Sequence, residues 1–361
     1  MLSKLSIYCL TYNRHKFIKR LINYWQKNYT ECKVYILDGS DQELDKEYVN
    51  QINNKKISYI HCKGKSYFER FIKISELIDT KYIQLVADDE IFFRSGAEQC
   101  LNFLEQNTDY SSCIGSVLLF DLLDKKEVLA YDVYNLFSNE DHNSYKRVEK
   151  WLNFTQPNTI YAIKRSKYFL KIIEELKFFQ NKNFSSPENI IEDVTEIGFA
   201  FLGKTKKIEN LMWMRSLENP SMPFNINKYE EVFPENFLLS NKYLEKKKIF
   251  DNFMKNFLDN IKSDINKDNN HILLSCYYNR LKAIRKNHKI NLFKKIINME
   301  YIHNFLSKVI PNKIKSYIKY KFYLKKREIM HFLNLNQKNI IFIKNDVEQF
   351  RENILRFYDE K

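Results

Sequence analysis

Apolar and polar positions change period several times along this chain, and the first 90 residues alternate two patterns. Leu5 to Leu10 is a short apolar run of strand type, and residues 15–28 place Phe17, Leu21, Tyr24 and Trp25 on one helical face. Val34 to Leu37 predicts a second strand, ending at Asp38, Gly39 and Ser40; 43–53 predicts a short helix. Ile57 to Ile60 predicts a third strand, 66–79 a helix, and 81–87 a fourth, mostly apolar strand. Strands alternating with helices imply βαβ units and a mainly parallel sheet, hence an α/β fold. Ligands of such sheets lie beyond the carboxyl ends of the strands. Those ends carry Thr11 to Arg14, Asp38 to Ser40, Lys63 to Lys65 and Asp88 to Glu90, so polar groups are expected to gather at one rim.

After residue 90 the alternation loosens. The patterns predict a helix over 95–106, a strand over 113–120, a charged loop over 121–150 and a strand over 159–163. A helix over 166–179, a loop over 181–187 and a helix over 188–201 follow. Pro220, Pro223 and Pro234 mark a linker. Beyond it the chain reads mostly as helices. The expected organisation is a catalytic-type α/β domain at 1–220, a linker at 221–235 and a mainly helical region at 236–361.

Composition narrows the function classes. With 361 residues and 44% hydrophobic content, the chain can fill one large core or two ordinary ones. No apolar run approaches the roughly 20 residues of a membrane span, and no charged-then-apolar leader opens the chain. Six cysteines lie far apart without a Cys-x-x-Cys pair, which disfavours a zinc site or disulfide framework and suits the cytoplasm. Only six glycines occur, with no Gly-rich phosphate loop. The net charge of +14 is uneven: residues 241–361 hold 27 Lys and Arg against 12 Asp and Glu. The basic excess therefore belongs to the last third, which bears on partners rather than on fold.

Three adjacent carboxylates, Asp88, Asp89 and Glu90, end the fourth strand. They repel one another, so they call for a metal or a basic partner. Ser6 to Arg14, Ile36 to Asp41, Tyr82 to Glu90 and Ile191 to Val194 occur in that order. Together these segments resemble the GT-A glycosyltransferases of the inverting, family-2 type, in the divergent group from bacterial surface-polysaccharide loci. The resemblance covers roughly residues 4–215.

The resemblance implies a GT-A (nucleotide-diphospho-sugar transferase, Rossmann-like) domain. It implies a donor such as a uridine diphosphate sugar, and a hydroxyl of a glycan or lipid-linked acceptor. A divalent cation, Mg²⁺ or Mn²⁺, would offset the charge of the departing diphosphate. The family's tip is often Asp-x-Asp, whose first Asp falls here on Ala87. Asp89 thus takes the ligand position, with Asp88 replacing the lost acid and Glu90 the third member. Asp38 would accept an N–H of the base, and Thr11, Tyr12, Asn13 and Arg14 would face base, ribose and phosphate. Lys65 and Arg70 match a donor-binding segment loosely. Arg215 would stabilise the leaving diphosphate. Asp193 would be the general base, with Glu192 second.

Each residue also has a plainer reading. An acidic tip can be a solvated turn, Asp38-Gly39-Ser40 an Asx-type turn, and Asn13 a helix cap. Lys65, Arg70 and Arg215 can be surface charges, and Glu192-Asp193 an acidic helix start. Two further functions stay open on the same fold. One is transfer of another nucleotide-activated group, such as a polyol phosphate or phosphoramidate; the other is a non-catalytic binding module. Residues 313–333 interleave Lys313, Lys315, Lys319, Lys321, Lys325, Lys326 and Arg327 with apolar residues. Such a segment suits an anionic membrane surface, hence a peripheral location on the cytoplasmic membrane, or packing on the first domain. Nucleic acid has the weakest support of the three.

Overall fold

Four parallel strands, three of them feeding helices, form the first half of the sheet. The computed structural model describes residues 1–53, 56–123, 127–131, 136–153, 160–182, 188–216, 233–261, 272–286, 329–331, 341 and 344–359. β1 (Leu5–Thr11) leads into α1 (His15–Asn28), β2 (Lys33–Asp38) into α2 (Lys46–Asn53), and β3 (Ile57–His61) into α3 (Tyr67–Leu77); β4 (Tyr82–Val86) follows. They lie in the order β3-β2-β1-β4, all parallel. β1 and β4 are covered on both faces, which is why they read as near-continuous apolar runs. α1 turns Ile18, Leu21, Ile22 and Trp25 inward. α3 starts at a capping box: Ser66 Oγ accepts from the Glu69 amide at 3.2 Å, and the Glu69 carboxylate accepts from the Ser66 amide at 2.9 Å.

The second half mixes directions. It comprises β5 (Ile91–Phe92), α4 (Arg94–Gln106), β6 (Tyr110–Leu123), β7 (Glu127–Tyr131), α5 (Ser144–Leu152), β8 (Ile163–Arg165), α6 (Ser166–Leu176), α7 (Glu188–Leu202) and β9 (Lys204–Ser216). β8 lies between β4 and β6, antiparallel to both. β9 runs parallel to β6 and antiparallel to β5. Successive residues of β1 serve opposite sides of the sheet. Ile7 and Cys9 enter a core with α1 and α4, and Tyr8 enters one with α3, α6 and α7.

Described elements after 233 pack on these same cores. The elements described there are α8 (Pro234–Phe237), α9 (Leu244–Ile261), α10 (272–286), β10 (Ile329–His331) and α11 (Lys344–Asp359). Phe250, Phe253 and Phe257 of α9 and Tyr277 of α10 join the core beside α6 and α7. Val347, Phe350 and Ile354 of α11 join the other. Among the described residues no helix is long and apolar enough to cross a membrane.

Three segments depart from the sequence patterns. The charged loop expected over 121–150 contains the end of β6, strand β7 and helix α5. In α5 the helical face is disguised because Arg147 points inward with Val148 and Trp151. Its guanidinium donates to the carbonyls of Ala200 at 2.6 Å and Phe201 at 2.8 Å. The strand expected over 159–163 is β8, displaced onto Lys164 and Arg165, both buried. The helical expectation after 236 fails at Ile329–His331, which pairs antiparallel with β7; a strand edge offers a hydrogen-bond ladder that local pattern does not reveal. Most of the expected linker and most of the basic segment 313–333 lie outside the described residues.

Candidate active site at the carboxyl ends of the parallel strands

Strand register brings the first polar residues together. Thr11 is paired with Asp38 and Asp38 with His61, while Cys9 stands beside Val86. The chain then turns at both ends of this row. Asn13 takes a left-handed conformation, φ 54°, which Asn tolerates better than most residues, and its amide donates to Ser40 Oγ at 2.7 Å. Tyr12 is left 52% exposed on that turn. After β4 the chain passes through Ala87 to the three acids.

Each acid at this tip meets a basic or hydroxyl partner. Asp88 is buried: Thr11 Oγ1 donates to its Oδ2 at 2.6 Å, and Arg14 donates to its Oδ1 at 3.0 Å. Burial pushes the Asp88 carboxyl up, while Thr11 and Arg14 pull it down. The same guanidinium stands 3.5 Å from Asp89 Oδ2. Arg20, buried on α1, donates to the Asp89 carbonyl at 2.9 Å. Glu90 lies 3.3 Å from Arg215 Nε, and burial pushes its carboxyl up to about 8. A divalent cation needs several hard oxygens converging on one point. Here Asp88 Oδ1 and Asp89 Oδ2 face Arg14, Glu90 Oε1 faces Arg215, and Asp88 Oδ2 accepts from Thr11. Among the described residues no three His, Cys, Asp or Glu side chains are grouped to hold a metal. The Mg²⁺ or Mn²⁺ implied by the sequence resemblance would share Asp88 and Asp89 with Arg14.

Asp38 is wholly buried and both oxygens are engaged. Oδ2 accepts from Tyr59 Oη at 2.6 Å and lies 3.0 Å from His15 Nε2; Oδ1 accepts from the Ser40 amide at 2.9 Å and from the Ser40 hydroxyl. The Asx-type turn is thus present, and the partner that faces the rim is His15, whose side chain is 30% exposed. Arg70 is buried under the same turn. Its Nη1 donates to the carbonyls of Thr11 at 2.6 Å and Leu37 at 3.1 Å, tying the ends of β1 and β2 together. Gly39 makes room for that side chain, since a Cβ there would lie 2.7 Å from Arg70 Nε and the guanidinium would have to shift. Lys65 is exposed and pairs with Glu69 at 2.8 Å, away from this cluster.

The acid pair on α7 divides between two surroundings. Glu192 shares its neighbourhood with the Tyr161 phenol, on which the charges of Glu90, Glu192 and Arg215 all act. It also acts on buried Lys164, whose ammonium is pulled down by burial while Glu196 and Glu192 oppose that shift. Tyr161 packs on Trp213 with ring centroids 4.4 Å apart, and Trp213 stacks on Phe92 at 5.7 Å. Asp193 turns instead toward α10: Tyr277 Oη donates to its Oδ2 at 2.8 Å, and Arg280 lies 3.9 Å from Oδ1. Burial raises the Asp193 carboxyl to about 6, against the pull of Arg280 and Tyr277. Arg280 also lies over the Trp151 ring at 4.3 Å.

The rim thus gathers Thr11, Tyr12, Asn13, Arg14, Asp38, Arg70 and Asp88 to Glu90, with Arg215 and Glu192 electrostatically linked to it through Glu90 and Tyr161. It leaves Lys65 outside and gives Asp193 to α10. Sequence reading did not single out His15, Arg20, Tyr59, Tyr161, Tyr277 or Arg280. Arg20 and Arg280 carried a signal, because each interrupts an apolar helical stripe. Tyr59 and Tyr161 carried none, since each reads as an ordinary strand aromatic.

No family model matches the chain, and no curated protein does. Several solved structures are similar to it. The crystal structure of S. aureus TarS 1-349 is 12% identical over 80% of this chain and 91% of that one, with a TM-score of 0.38. The crystal structure of that protein with UDP-GlcNAc is 12% identical over 80% of this chain and 92% of that one, with a TM-score of 0.40. With UDP the values are 13%, 80%, 91% and 0.38.

Proposed function

We propose that the chain is an inverting glycosyltransferase that uses a nucleotide-diphosphate sugar and an acceptor hydroxyl of a glycan or lipid-linked glycan. The observation that carries this reading is the strand register. It sets Thr11, Asp38 and the acids after β4 side by side at the carboxyl rim, with Arg14 and Arg215 at that rim and Glu192 nearby. Binding at strand ends is the general habit of open parallel sheets. Tyr12 supplies an exposed ring for the base, and the Asp38–His15 pair supplies polar groups at its edge. Arg14 and Arg215 supply positive charge for the diphosphate.

In the reaction the acceptor oxygen attacks the anomeric carbon from the face opposite the nucleotide. The new carbon–oxygen bond forms as the bond to the phosphate oxygen breaks, and the electron pair leaves with the nucleoside diphosphate. The acceptor proton passes to a carboxylate. Glu192 is assigned that role because its charge acts on Tyr161, on which the rim residues Glu90 and Arg215 also act, whereas Asp193 is bonded to α10. A positioned base contributes about 10²–10⁴-fold. Arginine N–H groups stabilise the charge that grows on the leaving diphosphate.

The test is nucleotide release from a panel of UDP-, CDP- and GDP-linked donors, with glycan and lipid-linked acceptors. Glu192→Gln is expected to lower turnover about 10²-fold or more with little change in donor KM. Unchanged turnover in both Glu192→Gln and Asp193→Asn would sink the assignment of the base to this pair. Absence of acceptor-dependent nucleotide release across the panel would sink the transferase reading.

A further inference from the structure

The tip of β4 brings three carboxylates against three guanidiniums. Arg14 pairs with Asp88 at 3.0 Å and faces Asp89 at 3.5 Å. Arg20 holds the Asp89 carbonyl at 2.9 Å, and Arg215 stands 3.3 Å from Glu90. Arg14, Arg20 and Arg215 thus stand against Asp88, Asp89 and Glu90 with no added ion, and Glu90, its carboxyl raised to about 8 by burial, brings little negative charge of its own at neutral pH. A dication entering between Asp88 and Asp89 would have to displace Arg14 or stand beside its like charge.

The three arginines are not equivalent. Arg20 is 3% exposed and fixed to backbone, so it is a permanent part of the turn. The Arg14 and Arg215 side chains are 32% and 46% exposed, the first on Asp88 and Asp89 and the second on Glu90. A guanidinium has five N–H donors in a fork, so pairing with one carboxylate does not exhaust it, and its geometry matches phosphate oxygens. Arg14 lies in the turn after β1 and Arg215 near the end of β9, so two separate elements bring positive charge to one place. That is the arrangement a diphosphate needs when no metal bridges its oxygens.

On this basis, which rests on the transferase reading above, we infer that the site binds a nucleoside diphosphate without a divalent cation, through Arg14 and Arg215. The carboxylates then act as the anchors that hold the two guanidiniums apart. A phosphate oxygen competes with Asp88 for Arg14 and with Glu90 for Arg215, so ligand binding rearranges existing ion pairs rather than recruiting an ion from solution.

The experiment is calorimetry on the full chain with UDP, CDP and GDP as probes, once in EDTA and once in Mn²⁺ or Mg²⁺. At least one nucleotide is expected to bind with a Kd that changes by less than about threefold between the two conditions. Arg14→Met and Arg215→Met are each expected to weaken that binding about tenfold or more in EDTA, the scale of one lost charge-assisted contact. Arg14→Lys, which keeps the charge, is expected to fall between Arg14→Met and the wild type. Binding that appears only with Mn²⁺ or Mg²⁺ overturns the inference and leaves the transferase reading standing. No binding of any nucleotide in either condition overturns both. The decisive comparison uses the unaltered chain, so it does not depend on any variant folding.

Discussion

Arg70 shows how one buried charged side chain can tie two strand ends of a rim together. Its Nη1 donates to the Thr11 and Leu37 carbonyls, and its guanidinium fills the space beside Gly39. Hydrogen bonds from a charged donor are worth about 1.5–3 kcal/mol each, and the carbonyls would be left buried without it. Arg70→Met is therefore expected to lower stability by roughly 2–4 kcal/mol, read as a lower midpoint in urea with an unchanged slope. An unaltered midpoint would show that water replaces the guanidinium. Sequence resemblance had marked Arg70 and Lys65 as donor-binding candidates. The sequence could not separate them, because a guanidinium bonds backbone carbonyls and phosphates through the same N–H groups. Burial alone sends Arg70 to the backbone and leaves Lys65 on the surface with Glu69. Asp38 shows the converse. The Asp38-Gly39-Ser40 turn was legible from residue types, whereas Tyr59 and His15 reach the same carboxylate only after folding.

At the scale of elements, α7 is held from two sides, and the Asp193 side gives a pH signature. Its carboxyl is raised from 3.8 to about 6, mainly by burial. Between those values the folded chain holds the proton more tightly than the unfolded chain. Stability from this group is then fully present below about pH 4, declines as pH rises toward 6, and changes no further above it. Asp193→Asn keeps an acceptor for Tyr277 and cannot ionise. The melting temperature of the variant relative to the parent is expected to rise between pH 4 and 6.5 and then level off. A constant difference across that range would refute the raised carboxyl. The extent of α7 was readable from sequence to within a residue, because its apolar period is strong. Its docking was not, because Tyr277 and Arg280 lie more than 80 positions away. Helix α5 was missed for a related reason: Arg147 on its inner face broke the apolar stripe, and only the carbonyls at the end of α7 explain a charge there.

For the whole molecule, the described helices after residue 233 contribute side chains to the packed interior. Phe350 of α11 meets Phe93 at 5.7 Å and Phe120 at 5.1 Å, both edge-to-face, and is fully buried. Phe350→Ala is expected to cost about 3–5 kcal/mol, as for other large core aromatics. The loss should appear in the single main unfolding transition if α11 and the sheet unfold together. A separate early transition, with the main one unmoved, would show α11 to be dispensable. The sequence by itself determined the alternating α/β elements of the first 90 residues, and therefore which residues end the strands. Period and apolar run length are local properties, and strand ends in a parallel sheet must share one side. Tertiary structure alone decided what those residues meet: Arg14 between Asp88 and Asp89, Arg215 on Glu90, Glu192 toward Tyr161, and Asp193 toward α10. Such pairings join positions that are distant in sequence. Charge compensation in a buried site depends on distance and solvent access, which no linear pattern records.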